Sequence, residues 1–70
     1  MVILNGIEFV YRPGLSLKEL MDEYNAEHPK VALDGHAVMV NGNVITALEA
    51  RGKTLLDNDN IRFIEVLEGG

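Results

Sequence analysis

Apolar residues alternate with polar ones near both ends of the chain and fall at helical spacing after residue 16, so the pattern predicts strands flanking one main helix. Val2-Ile3-Leu4 is apolar and β-prone, and Asn5-Gly6 is the preferred pair for a two-residue hairpin turn. Ile7, Phe9 and Tyr11 then alternate with Glu8, Val10 and Arg12, which predicts a hairpin with one buried face, ended by Pro13-Gly14. Ser16 followed by Glu19 is a capping-box pattern. Leu17, Leu20, Met21 and Tyr24 lie at i, i+3, i+4 and i+7, which predicts an amphipathic helix with Lys18, Glu19, Asp22 and Glu23 in water. Pro29 biases His28 away from helical dihedrals, so the helix should stop near Asn25 to Glu27.

The stretch from His28 to Gly35 has no periodicity, although Val31 and Leu33 can tuck onto a core. Ala37-Val38-Met39-Val40, Asn41-Gly42 and Val44-Ile45 repeat the hairpin signal with a short second arm. Thr46 to Lys53 mixes small, polar and charged residues and is expected to cross the sheet edge. Leu55 or Leu56 anchors a turn at Asp57-Asn58-Asp59-Asn60, where Asn and Asp tolerate left-handed dihedrals. Ile61 to Leu67 is the last strand. The order describes a single domain, residues 1–70, of the α+β class, with one helix across one face of a mixed sheet. A last strand lying parallel to the first would make both central, and no second helix is foreseen for the other face.

Composition narrows the function. Eleven acids against six bases give a formal net charge of -5, which argues against a nucleic-acid backbone as partner and favours a basic protein surface. With no cysteine there is neither a disulfide framework nor a Cys-ligated zinc. No apolar run approaches the roughly 20 residues of a membrane span. Met1 runs straight into a strand pattern without a signal segment, so the expected location is cytoplasmic.

Catalytic constellations are absent from the pattern. His28 and His36 lack metal-ligand spacing and are read as loop histidines. Asp57 and Asp59 lack the rest of a calcium loop and are read as turn formers. The two Asn-Gly pairs are hairpin chemistry, because no Gly-x-Gly-x-x-Gly spacing occurs.

The distinctive feature is the end of the chain, where the apolar strand runs through Leu67 and Glu68 into Gly69-Gly70. A carboxylate that must pass down a narrow tunnel to a nucleotide needs residues behind it without side chains and with free dihedrals, and glycine meets both demands. A frayed tail or a cloning remnant is the plainer reading. Alternation along the last strand sends Ile61 and Phe63 to one face and Ile64 and Val66 to the other. An apolar patch beside the tail, including Ile64 and Val66, is therefore expected to dock a partner, with Leu67 and Glu68 helping to direct the exit.

Met1-Val2-Ile3-Leu4-Asn5-Gly6, Ser16-Leu17-Lys18-Glu19-Leu20, Val38-Met39-Val40-Asn41-Gly42, Leu55…Asp57-Asn58-Asp59 and the Gly69-Gly70 end together resemble the β-grasp (ubiquitin-like) sulfur-carrier family. The likeness runs the whole length and is strongest to the thiamine-biosynthesis carriers (ThiS), with the molybdopterin-synthase small subunits (MoaD) more distant. The resemblance implies a protein co-substrate and not an enzyme. In that family the terminal glycine, here Gly70 with Gly69 giving access, is adenylated by an E1-like enzyme (ThiF/MoeB-like) and converted to a thiocarboxylate. Sulfur comes from a donor such as a cysteine desulfurase, and a synthase (thiazole synthase, ThiG-like) receives it. It also implies that no cofactor is bound, that the ATP is used by the partner enzyme, and that the carrier is a monomer when alone, with neither nucleic acid nor membrane as partner. Two other uses of such a chain stay open: a ubiquitin-like modifier joined to lysines through Gly70, and a β-grasp interaction module without terminal chemistry.

Overall fold

Two Asn-Gly pairs set the two hairpins. Asn5 and Gly6 have φ of 50° and 82°, and Asn41 and Gly42 have 52° and 87°. Positive φ at both central residues is what a two-residue turn needs to match the right-handed twist of its strands, and Asn-Gly supplies it with little strain. The computed structural model describes residues 1–28, 31–33 and 36–65. In it the first turn joins β1 (Val2–Leu4) to β2 (Ile7–Phe9), and the second joins β3 (His36–Val40) to β4 (Asn43–Ile45).

Between the hairpins lies α1 (Leu17–Glu27). Its capping box is complete. The Ser16 hydroxyl oxygen accepts from the Glu19 backbone N–H at 3.1 Å, while the Glu19 carboxylate accepts from the Ser16 N–H at 3.2 Å. Leu17, Leu20 and Met21 are buried and Tyr24 is half-buried, as the spacing predicts. Beyond the helix Val31 is buried and Leu33 packs against the core. Asn25 holds that segment: its Nδ2 donates to the Val31 carbonyl at 2.8 Å and its Oδ1 accepts from the Val31 N–H at 3.3 Å.

The last strand, β5 (Asn60–Glu65), completes a five-stranded sheet in the order β2-β1-β5-β3-β4. It runs parallel to β1 and antiparallel to β3, so β1 and β5 are both interior. One face packs under α1. Val2, Leu4, Val38, Val40, Ile61 and Phe63 from the sheet meet Leu15, Leu17, Leu20, Met21 and Leu55 in a single core. This is the β-grasp arrangement, α+β with one main helix on one face of a mixed sheet.

The structure departs from the sequence pattern in several places. Residues 47–51, where the pattern predicts no element, form a short helix, α2 (Ala47–Arg51), started by Thr46, whose hydroxyl oxygen accepts from the Glu49 N–H at 3.1 Å. The signal was a second Thr-x-x-Glu cap, overlooked because only buried Ala50 follows it as an apolar anchor. The strand after the first turn ends at Phe9, which packs against the core beside Tyr24 of α1, whereas Ile7, at the turn end of this edge strand, is exposed. Nor is His36 a loop residue: it opens β3 opposite Glu65. His28 is the residue that ends α1, its N–H donating to the Tyr24 carbonyl at 2.7 Å.

At the far end of the sheet Leu55 is fully buried while Leu56 is exposed. The turn between them and β5 is tied to the second hairpin. Asp59, itself buried, accepts from Asn41 Nδ2 at 2.9 Å and from the Leu56 N–H at 2.8 Å, and Asn41 Oδ1 accepts from the Asn60 N–H at 2.8 Å. Asn58 takes φ of 70°, the left-handed geometry expected of that turn.

Candidate functional site

The site is organised by β5, which carries the chain from the middle of the sheet toward its last residues. Ile61 and Phe63 are buried under α1, whereas Arg62 and Ile64 face away from it, as alternation requires. Val66, Leu67, Glu68, Gly69 and Gly70 lie outside the described residues. Of the residues expected to act in the site, Ile64 is the one the structure describes.

Register defines what surrounds Ile64. Ala37 pairs with Ile64, Met39 pairs with both Arg62 and Val44, and Ile3 pairs with Asn60, so these side chains share the face opposite α1. Ile64 is 42% exposed and Val44 67% exposed; Ile3, Ala37 and Met39 are half-buried. No described helix covers this face. Five apolar side chains share this face with Arg62, Asn60 and Glu8, and the register sets Ala37, Met39 and Val44 beside the end of β5, the kind of patch that marks protein docking. The sequence pattern identified Ile64 but not Arg62, Met39, Val44, Ala37 or Ile3, because the period-2 signal assigns a face within a strand and says nothing about which strands lie side by side.

The opposite side of the same strand end has a different character. Asn5, in the first hairpin turn, accepts from the Phe63 N–H through its Oδ1 at 2.8 Å. β1 has ended by that point, so the side chain takes over the pairing the strand no longer supplies. Next to it His36 and Phe63 meet edge-on with ring centroids 6.0 Å apart, and Glu65 stands across from His36. Among the described residues no group of three or more His, Cys, Asp or Glu side chains is arranged to hold a metal ion. No described helix is long and apolar enough to cross a membrane.

A mixed sheet in this order, one helix on one face and a bare face running beside the strand that leads toward Gly69-Gly70, defines a β-grasp domain. The model of the ThiS family matches residues 2–70, and the chain belongs to that family. ThiS-family proteins are small sulfur carriers, not catalysts, and they work with E1-like and synthase partners. No curated protein matches the chain.

Proposed function

We propose that this protein carries sulfur as a thiocarboxylate at Gly70 and delivers it in cofactor biosynthesis, with the thiazole of thiamine as the destination. The observation that carries the reading is the family match, which extends through residue 70 and so includes the paired glycines. A carboxylate is a poor acyl donor. In the proposed sequence its oxygen attacks the α-phosphorus of ATP on an E1-like enzyme (ThiF/MoeB-like), pyrophosphate leaves, and an acyl-adenylate forms. The terminal sulfur of a persulfide, supplied by a donor such as a cysteine desulfurase, attacks the acyl carbon and AMP leaves. A second thiol then takes the donor's sulfur as a disulfide, and the thiocarboxylate is released with charge and electrons balanced.

This chain's own part is presentation. Gly69 lets the end pass a narrow channel without side-chain collision. Ile64, with Met39 and Val44 beside it, supplies the apolar face on which the activating enzyme and then a ThiG-like synthase settle, and Val66, Leu67 and Glu68 extend that contact along the tail. A carrier that visits several enzymes in turn is monomeric between visits.

The test is intact-mass spectrometry after incubation with the E1-like enzyme, ATP and a persulfide source. The expected result is the mass gain of one oxygen exchanged for sulfur, lost on deletion of Gly70. No mass change with any E1-like enzyme of the host overturns the proposal. Gly-Gly adducts on lysines of other proteins would point to a modifier instead, and transfer of the sulfur to molybdopterin but not to a thiazole precursor would replace the destination with the MoaD-like one.

A further inference from the structure

Where β5 nears Glu65, a cleft of about 430 Å³ opens on the helix side of the sheet, lined by Asn5, Tyr24, Val31, His36, Phe63 and Glu65. It lies on the other side of the strand from Ile64 and the bare face. Three rings stand around it: Tyr24 from α1, Phe63 from β5 and His36 from β3, the last two in edge contact. Three polar side chains line it as well, those of Asn5, His36 and Glu65. His36 Nδ1 is buried with no hydrogen-bond partner among the described residues. The Glu65 carboxylate faces His36 across the strands and is in no ion pair among them. Asn5 Oδ1 accepts from the Phe63 N–H and keeps a second lone pair.

A carboxylate beside aromatic faces is a receptor for a flat, donor-rich cation. We propose that the cleft receives the guanidinium of an arginine on a protein partner. Its plane can lie against the Tyr24 and Phe63 rings while its N–H groups reach the Glu65 carboxylate, a combination a compact ammonium cannot match. The formal net charge of -5 draws basic surfaces toward the chain. The position fits an anchor. A partner holding the end of β5 would grip it from both sides, by apolar contact at Ile64 and by an inserted arginine at His36. The inference rests on the reading that protein partners engage the end of this strand.

The experiment is a titration of the isotope-labelled chain with Nα-acetyl-arginine amide, read by amide and aromatic NMR spectra, with Nα-acetyl-lysine amide and Nα-acetyl-glutamine amide in parallel at equal ionic strength. Saturable shifts at the Tyr24, His36 and Phe63 rings and the Asn5 side-chain amide are expected with the arginine probe, with Val44 and Ile64 unmoved. Glu65→Gln, at an exposed position, should weaken binding about two- to fivefold. The proposal is overturned if the lysine or glutamine probe shifts the same signals equally, if the shifts fall on the opposite face, or if Glu65→Gln leaves the affinity unchanged. The binding readout needs no acyl chemistry. A cleft that binds arginine in a chain that never gains sulfur would sink the carrier proposal alone, and the reverse outcome would sink the cleft alone.

Discussion

Asn5 and Phe63 are 58 positions apart in the chain, yet the Asn5 side chain accepts the Phe63 backbone N–H at 2.8 Å and so ties the first hairpin turn to the strand that leads to the tail. The same asparagine holds φ of 50°. Replacing it separates the two roles. Asn5→Gly keeps the turn geometry and leaves the Phe63 N–H without its acceptor, and should lower stability by about 1–2 kcal/mol. Asn5→Ala adds the left-handed penalty and should lose roughly 1 kcal/mol more. Urea unfolding of the two variants side by side checks the order, and hydrogen exchange at Phe63 should rise in both.

Asp59 joins the other two turns. Its carboxylate is buried and accepts from Asn41 and from the Leu56 N–H, so Asp59→Ala strands both donors and should cost roughly 3 kcal/mol. Asp59→Asn keeps the shape and can still accept, and should lose less than half of that. If both variants unfold at the wild-type urea midpoint, the network is not holding the turns.

The two helix caps should differ in weight. Ser16→Ala removes the cap of an eleven-residue helix that carries three buried side chains, with an expected loss of about 1 kcal/mol. Thr46→Ala uncaps a five-residue helix that buries Ala50 alone and should cost about half as much. Thermal melts resolve such a difference in a domain this small, where 1 kcal/mol corresponds to about 4–8 °C.

Ile64 should matter to partners more than to the fold. Ile64→Thr retains the β-branched shape at a position already exposed, so stability should stay within about 0.5 kcal/mol of the parent. The concentration of carrier that half-saturates an E1-like enzyme should rise roughly fivefold if the bare face is the docking surface. Ile61→Ala, on the buried face of the same strand, should do the opposite: a loss of about 3 kcal/mol in stability.

Acid should loosen two surface contacts. Glu19 is held below its ordinary carboxylate range chiefly by the Ser16 backbone N–H, then by the Ser16 hydroxyl. Asp57 is held low chiefly by the hydrogen bond from the Met1 ammonium, 2.6 Å away. A carboxylate whose folded pKa is depressed contributes stability fully above its unfolded value and loses it as pH falls through the folded one. The melting temperature should therefore begin to drop below about pH 4. Glu19→Gln should flatten part of that decline, and added salt should weaken the exposed Met1 contact first. A melting temperature that is constant down to pH 2 would contradict the assignment.

Much of the fold was legible from residue types alone. Asn-Gly pairs specify their turns locally, the Ser16–Glu19 box and the Leu17, Leu20, Met21 stripe specify α1, and Asn58 marks its own left-handed turn. Residues 46–53 carry a readable cap at Thr46 but only one buried residue behind it, so the helix there depends on Ala50 finding the core.

The sequence by itself determined the elements other than α2, their turns and the inward side of most of them, because dihedral preference and apolar spacing act between near neighbours. Only the tertiary structure decided that β5 enters between β1 and β3, since that pairing joins segments far apart in the chain and follows from closing one core around α1. From that insertion come the neighbours of Ile64 on one side and the meeting of Asn5, Tyr24, His36 and Glu65 on the other, which no spacing rule encodes.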